Sequence, residues 1–259
     1  MLSWIKRHPL VAFFALAYAV SWWPWVWAAL DPENAPSTIL PPGPLLAALV
    51  VLVIIGGRSA VWQFLKRIVQ WRVGLRWYAL VLLLPPIITV GAVGLSLKLG
   101  AAWEPHFPGW ADFGARFVFI LLFIALGEEP AWRGFALPRL MARRSALAAS
   151  LILSVLHIIW HLPLFGVEYN FGNIVPWMVS VLSFAIIVTW IYLHTQGSLL
   201  LPMLFHTSVN VSAMMFRWIS GDDMLRLWWL FAALWVGTAA IVIARYGPAL
   251  TRRASALPA

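Results

Sequence analysis

The chain has 259 residues, of which 63% are hydrophobic and only 10% charged, with a mean hydropathy of +0.87. That composition excludes a soluble domain and a disordered chain, and the apolar runs are too long and unbroken for a β-barrel. The 18 Lys and Arg against 9 Asp and Glu would suggest a nucleic-acid partner in a soluble protein, but their distribution here argues for a lipid bilayer and against nucleic acid. With no cysteine in the sequence, disulfides, thiolate metal ligands and a cysteine nucleophile are all excluded.

Spans of about 20 apolar residues predict one all-α integral membrane domain over residues 1–259. It is a polytopic transmembrane helix bundle of about eight helices, near 10–30, 40–56, 77–99, 115–140, 145–162, 174–195, 198–216 and 227–244. The first run is too long for the apolar region of a signal peptide, although Val26-Trp27-Ala28 weakly imitates a cleavage site, and Trp22, Trp23, Trp25 and Trp27 read as an interfacial belt on a retained helix. Between the second and third helices, Arg58 to Arg76 mixes Trp62, Phe64, Leu65, Ile68, Val69 and Trp71 with basic residues, as a surface-lying amphipathic segment does. Trp110, Trp177, Trp228 and Trp229 read as interface residues, and the tail after Arg252 reads as disordered.

Alternating topology places Lys6, Arg7, Arg58, Lys66, Arg67, Arg72, Arg76, Arg139, Arg143, Arg144, Arg245, Arg252 and Arg253 on one side. The other side receives only Lys98, Arg116, Arg217 and Arg226, together with Asp31, Glu33, Glu104, Asp112, Glu168, Asp222 and Asp223. The basic side is expected in the cytoplasm, with both termini. A Trp-rich, Arg-over-Lys, Ala- and Leu-rich composition points to a bacterial cell membrane. Nothing in the sequence bears on oligomeric state.

Ionisable groups inside the hydrocarbon are costly and mark sites. The fourth helix carries Glu128, Glu129 and Arg133, the fifth His157 and His161, and the seventh His206 and Asn210, whereas His194 falls close to the surface. Residues four apart share a helix face, while neighbours point about 100° apart. Glu129 and Arg133 are thus expected to form an internal ion pair. Glu128 points elsewhere, toward the face of Trp132, as the unpaired carboxylate and candidate base. His157 with His161, and His206 with Asn210, present polar pairs that reach a common chamber at similar depth.

No His-Glu-x-x-His zinc motif and no Gly-x-Ser-x-Gly serine elbow occurs. A glutamate with histidines remains. A carboxylate and an imidazole around one water supply general base catalysis, while a second imidazole and a carboxamide donate to a tetrahedral oxyanion. The competing class is a scaffold or a proton-coupled transporter that uses the same residues.

Three motifs occur in order on the fourth, fifth and seventh helices: Glu128-Glu129-Pro-Ala-Trp-Arg133, His161 in Trp-His-Leu-Pro, and His206-Thr-Ser-Val-Asn210. They resemble the EExxxR, FxxxH and HxxxN motifs of the CAAX-processing and bacteriocin-processing (CPBP, or Abi) intramembrane endopeptidases. The resemblance covers residues 115–216, the expected catalytic core, with one departure, because His157 stands where the second motif has Phe. It implies that Glu128 and His161 activate water, that His206 and Asn210 stabilise the oxyanion, and that Glu129 and Arg133 hold the site together beside His157. The implied activity is cleavage, near the cytoplasmic side, of membrane-associated peptide or protein substrates of the CAAX or bacteriocin type. No cofactor is favoured, although one carboxylate and two imidazoles also suit a divalent metal such as zinc, with Glu128, His161 and His206 as ligands.

Overall fold

A computed structural model describes residues 2–35, 43–165, 171–219, 221 and 223–252. The tail after Arg252, Glu168 and Asp222 lie outside the described residues. Every regular element among the described residues is helical: α1 (Leu2–Arg7), α2 (Pro9–Leu30), α3 (Gly43–Ile68), α4 (Leu75–Lys98), α5 (Trp110–Met141), α6 (Ala146–His161), α7 (Ile174–His194), α8 (Leu200–Ser212) and α9 (Asp223–Tyr246). Among the described residues, seven helices are long and apolar enough to cross a membrane. The exception among the expected spans is α8, which stops at Ser212 and passes into a tight 3-10 turn over Ala213–Trp218 instead of running to 216 as one helix.

The expected second span is longer than its apolar run, because α3 continues through Arg58 to Ile68. It is bent at Gly57, whose φ of 62° and ψ of −157° suit a residue without a Cβ. The amphipathic segment after Arg58 is therefore helical only to Ile68 and is joined to the membrane helix. Its end is clasped onto the loop that starts α8. Arg67 donates to the Gly197 carbonyl at 3.1 Å and to the Tyr192 hydroxyl, the Arg67 carbonyl accepts from the Leu199 amide at 2.9 Å, and the Ser198 hydroxyl donates to the Gln70 carbonyl at 2.7 Å. Arg67→Ala removes hydrogen bonds of a charged donor, each worth about 1.5–3 kcal/mol. The thermal midpoint of the detergent-solubilised chain is expected to fall, and an unchanged midpoint would contradict the clasp.

The surface of the bundle is apolar because its solvent is lipid. On α4, Leu83, Ile87 and Val90 are exposed at helical spacing, while Val81, Ile88, Thr89, Ala92 and Ser96 face inward. Small hydroxyls tie helices together across the interior. Ser150 on α6 donates to Thr189 on α7 at 2.8 Å, and Ser208 on α8 donates to the Leu82 carbonyl of α4 at 3.1 Å.

The α5 helix is irregular where the chemistry lies. Two stretches, Ile120–Ala125 and Pro130–Ala136, are wound as π-helix, with one α-helical turn, Leu126–Glu129, between them. Pro130 and Pro138 lack the amide hydrogens that an α ladder needs at those positions, which accounts for loosening in the second stretch. Wide turns of this kind recur at functional sites. Gly134 lets neighbours close on the second stretch, since a Cβ there would lie 2.8 Å from Leu199 and 2.9 Å from Phe64.

Candidate active site

Helices α5, α6 and α8 bring the ionisable groups together in two linked clusters. In the first, His157 Nε2 lies 3.0 Å from Glu128 Oε2, and His161 Nδ1 lies 3.0 Å from the His157 carbonyl one turn back. One ligand atom from each of Glu128, His157 and His161 lies within 4.8 Å of the other two. All three side chains are buried. Glu128 is thus not the unpaired carboxylate expected from its own helix, because its partner comes from α6 and is the histidine that replaces the motif's Phe.

In the second cluster Glu129 Oε1 is shared. It accepts from Arg133 NH1 at 3.1 Å, as the four-residue spacing predicted, and pairs with His206 Nδ1 of α8 at 2.8 Å. Arg133 is only 1% exposed, and its guanidinium lies over the Phe184 ring at 5.3 Å. Phe184 also meets His206 edge-on at 5.9 Å. Since His206 is held against Glu129, the trio that gathers around Glu128 is completed by His157, and not by His206 as the sequence-derived metal set had it. Asn210 follows His206 by one turn on the same face of α8 but is exposed, so it does not share the buried chamber.

Aromatic side chains wall the first cluster. Trp132 lies 5.2 Å from His157 and 5.6 Å from Trp160, with Phe14 of α2 stacked on it at 6.0 Å. Tyr18 donates to the Leu156 carbonyl at 2.6 Å and Trp22 to the Trp160 carbonyl at 2.9 Å, which pins α2 against α6. Trp177, near the start of α7, meets His161 edge-on at 5.3 Å. These cross-helix partners have no short-range sequence signal. The His157-to-His161 spacing was the one visible hint that both rings face one site.

A half-open cleft of about 1740 Å³ lies between the start of α5, the turn after α8 and the middle of α4, lined by Phe113, Phe117, Ile124, Ser208 and Met215. Ile124 and Ser208 place the cleft against α5 and α8, two of the three helices that carry the motifs, and none of the clustered Glu or His residues lines it. Arg116 and Arg217 are its basic lining residues.

Buried carboxylates and imidazoles are thus joined across three helices of an integral multi-pass membrane protein. Residues 110–212 match the family described as Type II CAAX prenyl endopeptidase Rce1-like. The chain is also 30% identical over 192 residues to CAAX prenyl protease 2 of Methanococcus maripaludis, an overlap of 67% of this chain and 70% of that protein. The chain belongs to this family of CPBP peptidases and is a membrane protease.

Proposed function

We propose that the chain hydrolyses a peptide bond of a membrane-associated, CAAX-type lipidated substrate, with Glu128 as general base and residues 115–216 as catalytic core. The observation that carries this reading is the buried Glu128–His157–His161 cluster inside the matched segment. A carbonyl only accepts, so His161 Nδ1 carries a proton toward the His157 carbonyl and Nε2 is the acceptor nitrogen of the neutral ring. Glu128 and His161 then orient a water, and Glu128 takes its proton as the oxygen attacks the scissile carbonyl. The carboxylic acid so formed returns the proton to the leaving amine when the tetrahedral intermediate collapses. His157 donates to Glu128 and fixes its orientation.

His206 and Asn210 are the oxyanion donors of this scheme. An ionised Glu129 only accepts, so His206 Nδ1 carries a proton, and Nε2 donates to an oxyanion only when the ring is an imidazolium. The Glu129 carboxylate balances that charge, and Arg133 holds the carboxylate in place. Asn210, one turn beyond on the same face and exposed, is the neutral donor of the pair. No step uses a metal.

The CAAX protease named above supports a lipidated substrate of the CAAX type. The purified chain in liposomes is expected to release the residues that follow the prenylated cysteine of a farnesylated CAAX peptide and to spare the same peptide without lipid. Cleavage of the bare peptide alone would favour a bacteriocin-type substrate, and equal products from Glu128→Gln would contradict the assignment of the base.

By charge we read the basic end of the bundle, with both termini, as cytoplasmic, and by composition the membrane as that of a bacterial cell. His161 is the last residue of α6, about 24 Å beyond Ser145 at ~1.5 Å per residue. The scheme keeps the expectation that the site is reached from the cytoplasmic side. A chain without cysteine allows a direct check. Single cysteines at Arg144 and Asp112 are expected to react with an impermeant maleimide from the inside and the outside respectively. The reverse pattern would invert the topology.

A further inference from the structure

We propose that Glu128, His157 and His161 form a binding site for a divalent transition metal ion, zinc above all, that this chain has because a histidine stands where the motif has Phe. Two histidines four residues apart on one helix face are a standard spacing for zinc ligands, and a carboxylate from a facing helix completes a His₂Glu set with one position open. The three ligand atoms already lie within 4.8 Å of one another, and His157 Nε2 and Glu128 Oε2 are 3.0 Å apart. Tetrahedral zinc with bonds of 2.0–2.2 Å holds its ligands roughly 3.3 Å apart, so closure needs side-chain shifts of at most about 1.5 Å.

The surroundings fit a metal as well as the distances do. His161 gives its Nδ1 hydrogen to the His157 carbonyl, the arrangement that orients a ligating imidazole and makes Nε2 the donor. For His157 to ligate through Nε2, its proton moves to Nδ1. The Ser154 hydroxyl, buried and without a hydrogen-bond partner among the described residues, stands three residues before His157 on the same helix, and we assign it as the acceptor of that proton. Trp132 and Trp160 pack on the rings and keep competing water out. Two imidazoles and one carboxylate are a poor set for Mg²⁺ or Ca²⁺, which take oxygen ligands. An ion bound here occupies the lone pairs assigned above to water activation, so the site competes with that role.

The test is a zinc titration of the purified full-length chain in detergent, its affinity tag removed, against a chromophoric chelator and with Mg²⁺ as control. One zinc per chain is expected, with no response to Mg²⁺. His157→Phe is expected to weaken binding at least ~100-fold. His157→Gln keeps a hydrogen-bond donor toward Glu128 without an imidazole and is expected to lose zinc equally, which separates ligation from a folding defect. Undiminished binding in both variants would overturn the proposal, as would loss in His206→Gln but not His157→Phe, or no binding by the wild type. The readout is independent of proteolysis, so a failed cleavage assay leaves it intact.

Discussion

Glu128→Gln is expected to leave the chain inserted and folded while lowering the rate of peptide cleavage by a factor of about 10²–10⁴, the usual contribution of a positioned general base. Glutamine has the size of glutamate, and its carbonyl oxygen still accepts from His157 Nε2, so the contact between α5 and α6 survives. What it lacks is a lone pair basic enough to take a proton from water. The comparison needs two readings on the same preparation, the cleavage rate and the thermal midpoint. A large loss of rate with an unchanged midpoint is the expected pair, and full activity in the variant would remove Glu128 from the mechanism.

The second large effect is expected at Glu129, with a different signature. This carboxylate holds Arg133 at 3.1 Å and His206 at 2.8 Å through the same oxygen, so Glu129→Ala removes both partners at once. Arg133 is 1% exposed and would be left as a buried charge without its counter-ion, at a cost of about 3–5 kcal/mol. Stability and activity are both expected to fall. Adding Arg133→Met to Glu129→Ala removes the stranded charge and is expected to restore much of the stability but not the activity, because His206 still lacks the group that orients it. A Glu129→Ala protein as stable as the wild type would show that the ion pair does not hold the site together.

The membrane architecture was legible because hydrocarbon imposes one-dimensional rules. Run length located the spans, and four-residue spacing correctly paired Glu129 with Arg133. The sequence said least where structure depends on what lies across from a residue. Glu128 looked unpaired because its partner, His157, is 29 positions away on another helix, and His206 meets Glu129 across 77 positions. The departure from the family pattern at His157 was visible, but its consequence was not, since only the packing of α6 on α5 turns that ring onto the carboxylate. Hydropathy also misjudged two helix ends. The α3 helix outruns its apolar stretch because Arg67 and Gln70 find partners in the loop before α8, and α8 stops at Ser212, where the chain tightens into a 3-10 turn.

The most direct test of Glu128 as the base of a membrane protease requires no guess about substrate. Membranes from cells expressing the wild type or Glu128→Gln at equal levels are compared by quantitative mass spectrometry for newly formed peptide termini. Termini present only with the wild type, clustered near one end of membrane-associated proteins or peptides, are the predicted result and would reveal the scissile sequence. The same termini at the same abundance in both membranes would contradict the account.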